Sequence, residues 1–149
     1  MNQAALKEVD PWKAAGAPAT AGSPNAILPF VRPDSGINGE VVRGICELRR
    51  NRNEAFPGKL FSDPTWDIML QLYAAHLDSL RISIGRLTRL CGVPATTVLR
   101  RLGALEDREL VTRTVDRFDA RRVYVALSPM GTHAMDECFS ASGLRAALL

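Results

Sequence analysis

SIGRLTRLCGVPATTVLRRLGALEDRELVTRTVDRFDARRVYVAL, the stretch from Ser83 to Leu127, holds two short helical patterns, two strand-like runs and a dense supply of arginine. Ser83 fits the N-cap of the first helix, because its hydroxyl can accept from an otherwise unpaired N–H of the first turn. That helix ends at Gly92, where the chain needs a residue tolerant of positive φ. Leu87, Leu90 and Val93 point back into a core, and Cys91 occupies a crowded position that suits a small side chain. A buried thiol with no partner to stabilise its thiolate is inert, so a structural reading of Cys91 outweighs a redox-sensing one.

Pro94 opens the second helix, ATTVLRRLGALEDREL. At about 100° per residue, Val98, Leu102 and Leu105 share a narrow arc and face the core. Thr96, Arg100 and Gly103 fall on the opposite arc, Thr97 lies on one shoulder, and Arg101 lies nearer the core side. Gly103 in mid-helix lowers stability and permits close backbone approach to a partner. Arg101 divides evenly between an intramolecular salt bridge and a phosphate contact. Leu110 to Val115 and Val123 to Leu127 alternate apolar and β-branched residues as the two strands of a hairpin. Their connection, DRFDARR, sets Arg117, Arg121 and Arg122 around Asp116 and Asp119, and these acids are expected to orient the arginines. The plainer alternative is a solvated charged hairpin.

Upstream, Leu80 to Ser83 suits a small strand that pairs with this hairpin. SDPTWD supplies an N-cap at Ser62 or Asp63 and a proline, Pro64, at the first helical position. Trp66, Met69, Leu70, Tyr73 and Leu77 then form a buried stripe, better explained as core than as a cofactor box. FPG at Phe56 to Gly58 breaks the chain before it. Asn38 caps an earlier helix that runs to about Asn53, with Val41, Ile45 and Leu48 as its apolar stripe and Arg43, Arg49, Arg50 and Arg52 on its solvated side. Residues 1–37 are rich in small residues and proline, and such a stretch loses more entropy on ordering than it recovers by burial. They read as a flexible tail, with docking and disorder evenly weighted for Trp12 and the apolar patch from Ile27 to Val31. Residues 38–149 read as the folded domain.

A chain of 149 residues with 46% hydrophobic composition can bury one core. The net charge of +3 is unevenly spread: ten arginines against five acids lie between Arg81 and Leu127, which leaves the remainder of the chain at −2. Positive charge concentrated on one module suits a phosphate-rich partner. The three cysteines, Cys46, Cys91 and Cys138, form no CxxC or Cys/His cluster, which reads as a reduced cytoplasmic protein with no metal site. No run approaches the length of a membrane span, and the N-terminus lacks a secretory signal. No nucleophile elbow, phosphate loop or metal-ligand spacing is present, so neither an enzyme nor a cofactor is expected.

The order of elements is that of a winged helix-turn-helix. Four segments, WDIMLQLYAA, LTRLCGVPATTVLRRLGALEDRELVTR, DRFDARRVYVALS and LSPMG, together resemble the MarR family of bacterial winged-helix transcription regulators over about Pro64 to Cys138. In that family the wing carries a pattern similar to Asp116, Asp119, Arg121 and Arg122, and a helix begins after a step similar to Ser128-Pro129. The resemblance implies a homodimer with interlocked terminal helices. Its two recognition helices would enter successive major grooves of a palindromic site, with half-sites roughly 34 to 36 Å apart. The helix from Asn38 and the last segment, SPMGTHAMDECFSASGLRAALL, take the dimerising role, although that segment is short for the family and interrupted around Ser140 to Gly143. Many members of the family release DNA when a small phenolic or other aromatic effector enters a pocket. Trp66, Tyr73, His76 and His133 are what this chain offers to line one, yet each is more simply a core or surface residue, and His76 is placed to meet helix-terminal carbonyls.

The fold class expected is mainly α with a small β-hairpin (α+β), a winged helix-turn-helix with flanking N- and C-terminal helices. Its partner is double-stranded DNA, met by Pro94, Ala95, Thr96, Thr97, Arg100 and Arg101 in the major groove. Arg117, Asp119, Arg121 and Arg122 form a wing in the minor groove. Arg100 is the first choice for a guanine contact. A cytoplasmic, nucleoid-associated location follows. The alternative is a protein-interaction module whose arginines meet the acidic surface of another regulator or a polymerase subunit.

Overall fold

The Asn38 side chain accepts from the Val41 N–H at 3.0 Å and starts α1, Gly39–Ala55. Asp63 does the same for the Trp66 N–H at 3.2 Å, with Pro64 behind it, and starts α2, Pro64–Leu77. Then follow β1 Ile82–Ser83, α3 Ile84–Cys91, α4 Ala95–Glu106, β2 Val111–Val115, β3 Val123–Leu127 and α5 Pro129–Ala141. This computed structural model describes residues 37–141 except 57 and 59. The proline-rich stretch before Ile37, with Trp12 and the patch from Ile27 to Val31, lies outside the described residues, as do residues 142–149. Among the described residues no helix is long and apolar enough to cross a membrane.

The core is built around α2. Ile68, Met69, Leu70, Leu72, Tyr73, Ala74 and Leu77 are all buried, whereas Trp66 is only half-buried. A one-sided stripe was too narrow an expectation, because α2 touches α1, α3, α4, α5 and β3 and so is apolar on nearly every side. Val98, Leu102 and Leu105 of α4 and Leu87 of α3 pack onto it as their spacing requires. Ile37, the last residue of the expected tail, is buried in the same core.

Val41 and Ile45 of the expected α1 stripe pack partly buried against the core, but the centre of the buried face lies about one residue away. Val42 is wholly buried and Leu48 is 69% exposed. The reason is polar. Arg49 Nε donates to Asp67 Oδ1 at 2.6 Å with both side chains under one-fifth exposed, and this pair draws the Val42, Cys46 and Arg49 face onto α2. Two more arginines expected to be solvated also serve the seam. Arg43 pairs with Asp78, while Arg52 donates to the Phe61 carbonyl at 2.9 Å and lies 4.9 Å over that residue's ring.

The sheet is antiparallel in the order β1-β3-β2, with Ile82 opposite Val125 and Arg113 also opposite Val125 on the other side. The helix α4 ends at Glu106, before the full length of its expected run. The Glu109 N–H bonds the Glu106 carbonyl at 2.8 Å with Glu109 at φ 58°, and so Leu110 belongs to a turn rather than to β2. Ser128 clasps that turn. Its Oγ donates to the Glu109 carbonyl at 2.5 Å, its N–H donates to the Leu110 carbonyl at 3.0 Å, and its Oγ accepts from the Gly131 N–H at 2.9 Å. Gly131 has to lack a side chain, since a Cβ there would collide with the Leu110 carbonyl oxygen. Further along the same face of α5, Met135 and Phe139 enter the core, and the Phe139 ring stacks on Tyr73 at 5.1 Å. The Tyr73 hydroxyl donates to Asp136 at 2.6 Å.

Candidate nucleic-acid interface

The helix-turn-helix is set by three local devices. The Ser83 Oγ accepts from the Arg86 N–H at 3.3 Å and starts α3. Gly92 ends it at φ 64°, ψ 27°, with its N–H on the Thr88 carbonyl at 3.1 Å. The Pro94 carbonyl then accepts from Thr97 and Val98, and α4 begins with no side-chain cap.

The expected DNA-facing residues of α4 divide into two groups. Ala95 and Thr96 are exposed at the start of the helix, Thr96 on the outer arc. Pro94, Thr97, Arg100 and Arg101 border a cleft of about 580 Å³ that also meets α1 at Cys46 and Arg50 and the α2 side at Asp67 and Gln71. Arg100 is exposed at the mouth of this cleft, whereas Thr97 and Arg101 are half-buried. Arg101 forms no ion pair among the described residues, and its buried Nε lacks a hydrogen-bond partner, so the intramolecular salt bridge weighed for it is absent there. A Cβ on Gly103 would meet nothing within 4 Å, so internal packing does not require a glycine there.

The wing departs from expectation in how its acids act. Asp116 Oδ1 accepts from the Phe118 N–H at 2.8 Å and Asp119 Oδ1 from the Arg121 N–H at 3.0 Å. Both are turns made by a side chain on its own backbone, so the carboxylates shape the loop before they orient any guanidinium. The Phe118 N–H is also the main reason the Asp116 carboxyl lies below its ordinary range, with Tyr124 and Arg122 adding to it. Arg122 faces the Tyr124 hydroxyl and both acids, which together hold its guanidinium above the ordinary range. Arg117 and Arg121 are exposed and form no ion pair among the described residues. Beside them, Ser83, Ile84 and Gly85 border a hollow of about 380 Å³ with Asp119, Arg121 and Arg122, which brings the wing base next to the start of α3. The Arg81 guanidinium lies 3.9 Å over the Tyr124 ring in the same sheet.

Sequence reasoning missed Phe118. It stands 98% exposed at the wing tip. The signal available was a lone aromatic residue inside DRFDARR, flanked by Arg117 and Asp119.

Two cysteines border the large cleft. Burial pushes the Cys46 thiol up to about 11 and the Cys91 thiol up to about 12, with Asp67 adding to both. Of the residues offered for an effector pocket, Tyr73 is engaged with Asp136 and Phe139, His133 is exposed, and none of the four borders the cleft.

No family model and no curated protein matches this chain. Among solved structures, a MepR variant from a multidrug-resistant S. aureus clinical isolate superposes with a TM-score of 0.50 and 18% identity, covering 72% of this chain and 71% of that one. AF1382 from Archaeoglobus fulgidus gives 0.50 at 16% identity, over 62% of this chain and 94% of its own. A MarR variant from E. coli complexed with operator DNA gives 0.49 at 18% identity, over 72% and 76%. The class of fold is the winged helix, α+β, with α3 and α4 as the helix-turn-helix and β2–β3 as the wing. Around that module stand α1, α2 and α5.

Proposed function

We propose that this chain is a sequence-specific, double-stranded DNA-binding transcriptional regulator acting as a homodimer. The observation that carries the reading is that Thr96 and Arg100 on α4 and Arg117 and Arg121 on the wing are all exposed, and that these arginines are free of ion pairs among the described residues. Arginine left unpaired on a helix-turn-helix and its wing suits phosphate and base-edge recognition. In this reading Arg100 pairs with guanine O6 and N7, and Thr96 and Thr97 meet bases or phosphates. Pro94 and Ala95 bring the helix start to the backbone, and Arg101 takes a phosphate. Arg117, Arg121 and Arg122 anchor the wing in the minor groove, with Asp119 fixing its turn. Residues 38–149, with Ile37 in their core, make up the binding and dimerising domain, and the protein works at the cytoplasmic nucleoid.

The test is enrichment of duplexes from a random-sequence pool by the purified protein, followed by affinity measured across salt concentrations. Affinity that falls steeply and linearly with the logarithm of salt supports the reading. Failure to enrich any duplex, with retention of an acidic protein partner instead, overturns it in favour of a protein-interaction module.

A second reading, sensing of a small aromatic effector, is favoured by the cleft of about 580 Å³, where the arginines Arg50, Arg89, Arg100 and Arg101 outnumber the acids Glu54 and Asp67 and would meet an anionic occupant. Benzoate that raises Tm and lowers DNA affinity together supports it. No shift in either removes it.

A further inference from the structure

We infer that Phe118 is an apolar wedge, which enters the minor groove from the wing tip and partly unstacks the base step beneath it. The inference rests on the DNA-binding reading above and adds a residue and a mode of recognition to it.

Phe118 is the most exposed large apolar side chain among the described residues, at 98%. An isolated surface apolar residue is unremarkable by itself. This one is held out by its surroundings. Its N–H is bonded to Asp116 Oδ1, the Arg121 N–H to Asp119 Oδ1, and the Asp116 N–H to the Arg122 carbonyl at 2.8 Å. The loop is therefore closed across its base and turned twice by its own carboxylates, which leaves the ring no route back to the core. Every residue from Arg117 to Arg122 is exposed, so the ring has no apolar shelter within the hairpin.

Charge selects the occupant. Arg117 precedes the ring, and Arg121 and Arg122 follow it within four residues, a collar that favours a polyanion over an apolar protein surface. The ring itself can do nothing for a phosphate. An apolar side chain carried by cationic neighbours into the minor groove finds its favourable contact between base pairs, where it wedges a step open and kinks the duplex. Pyrimidine–purine steps yield most easily, so the wedge would read deformability at a position that no hydrogen bond reaches.

The experiment uses the full chain and a duplex enriched by it from a random pool, with 2-aminopurine placed at the steps that hydroxyl-radical footprinting assigns to the wing. Binding should raise 2-aminopurine fluorescence at one step in each half-site. Phe118→Ala should abolish that rise and weaken binding by roughly tenfold, the scale of one lost base–aromatic contact. Its salt slope should stay unchanged, because no phosphate contact is removed. Phe118→Leu, which keeps an apolar wedge, should retain most of the rise. Equal fluorescence and affinity in Phe118→Ala would overturn the wedge, while Arg121→Ala with a reduced salt slope would still uphold DNA binding. A change of oligomeric mass in Phe118→Ala without DNA would make the ring a contact between copies and also overturn it. Enrichment of no duplex would fail the DNA reading and the wedge with it.

Discussion

Glu106 accepts from Arg113 at 2.8 Å, and this pair joins the last turn of α4 to the first strand of the wing. The two side chains are about one-third exposed. Such a pair is worth at most about 1 kcal/mol of stability. Its importance is directional, for it ties the end of α4 to β2 and so, in the DNA-binding reading proposed above, the recognition helix to the wing. Glu106→Gln should therefore leave Tm almost unchanged and yet weaken duplex binding several-fold. Differential scanning calorimetry with fluorescence anisotropy separates the two effects. A large drop in Tm with affinity retained would make the pair a stability device only.

Arg100 and Arg121 should fail in different ways. Arg100→Ala is expected to cost about 1 to 3 kcal/mol on an enriched duplex and to relax preference at one base position. Arg121→Ala should weaken binding evenly across sequences and reduce the salt slope by about one. Repeating the pool selection with each variant measures the first property, and salt titration the second.

The Ser128 clasp predicts a stability loss without a change of fold. Ser128→Ala removes the acceptor for the Gly131 N–H and the donor to the Glu109 carbonyl, and the loss of such a cap costs about 1 to 2 kcal/mol. Urea unfolding should show a lower midpoint at unchanged slope. Ser128→Thr keeps the hydroxyl and should recover most of the loss.

Asp67 holds the seam between α1 and α2. Asp67→Ala leaves the Arg49 guanidinium, itself mostly buried, without its acceptor, and such losses reach about 3 kcal/mol. Replacing both partners by Leu should restore part of it, and thermal unfolding of the three variants tests the coupling.

The thiols give a pH dependence of known sign. Cys46 and Cys91 keep their protons to about 11 and about 12 when folded, against an ordinary value of 9.0. Above that ordinary value the unfolded chain has lost protons that the folded chain still holds. Stability should therefore fall as pH rises through 9 toward 12 and be insensitive to these groups below 9. Cys46→Ala combined with Cys91→Ala should flatten that fall in urea midpoints. Iodoacetamide should label exposed Cys138 first, and mass spectrometry of the digest would show it.

What could be read from the sequence was whatever a residue decides locally. Ser83, Gly92, Asn38 and Asp63 cap or end helices through bonds to neighbours three or four residues away, and they do so in the structure. The arc of Val98, Leu102 and Leu105 is likewise a matter of helical phase. The exposure of Leu48 and the burial of Arg49 on α1 are different, because they involve Asp67, which is 18 residues from Arg49 and carries no signal of pairing in the chain. The wing shows the same boundary. Its two strands and its arginines were evident, but two carboxylates beside three guanidinium groups suggest ion pairs, and the shorter path to the backbone N–H groups won. For the interface, Thr96 and Arg100 were legible as outward-facing, while the cleft that reaches Thr97 and Arg101 depends on where α1 and α2 sit.

The contact of Gly131 with the Leu110 carbonyl, beneath the Ser128 clasp, has a mechanical meaning. It sets the start of α5 directly against the turn that follows α4, backbone on backbone, so that a side chain at 131 would have to force the two apart.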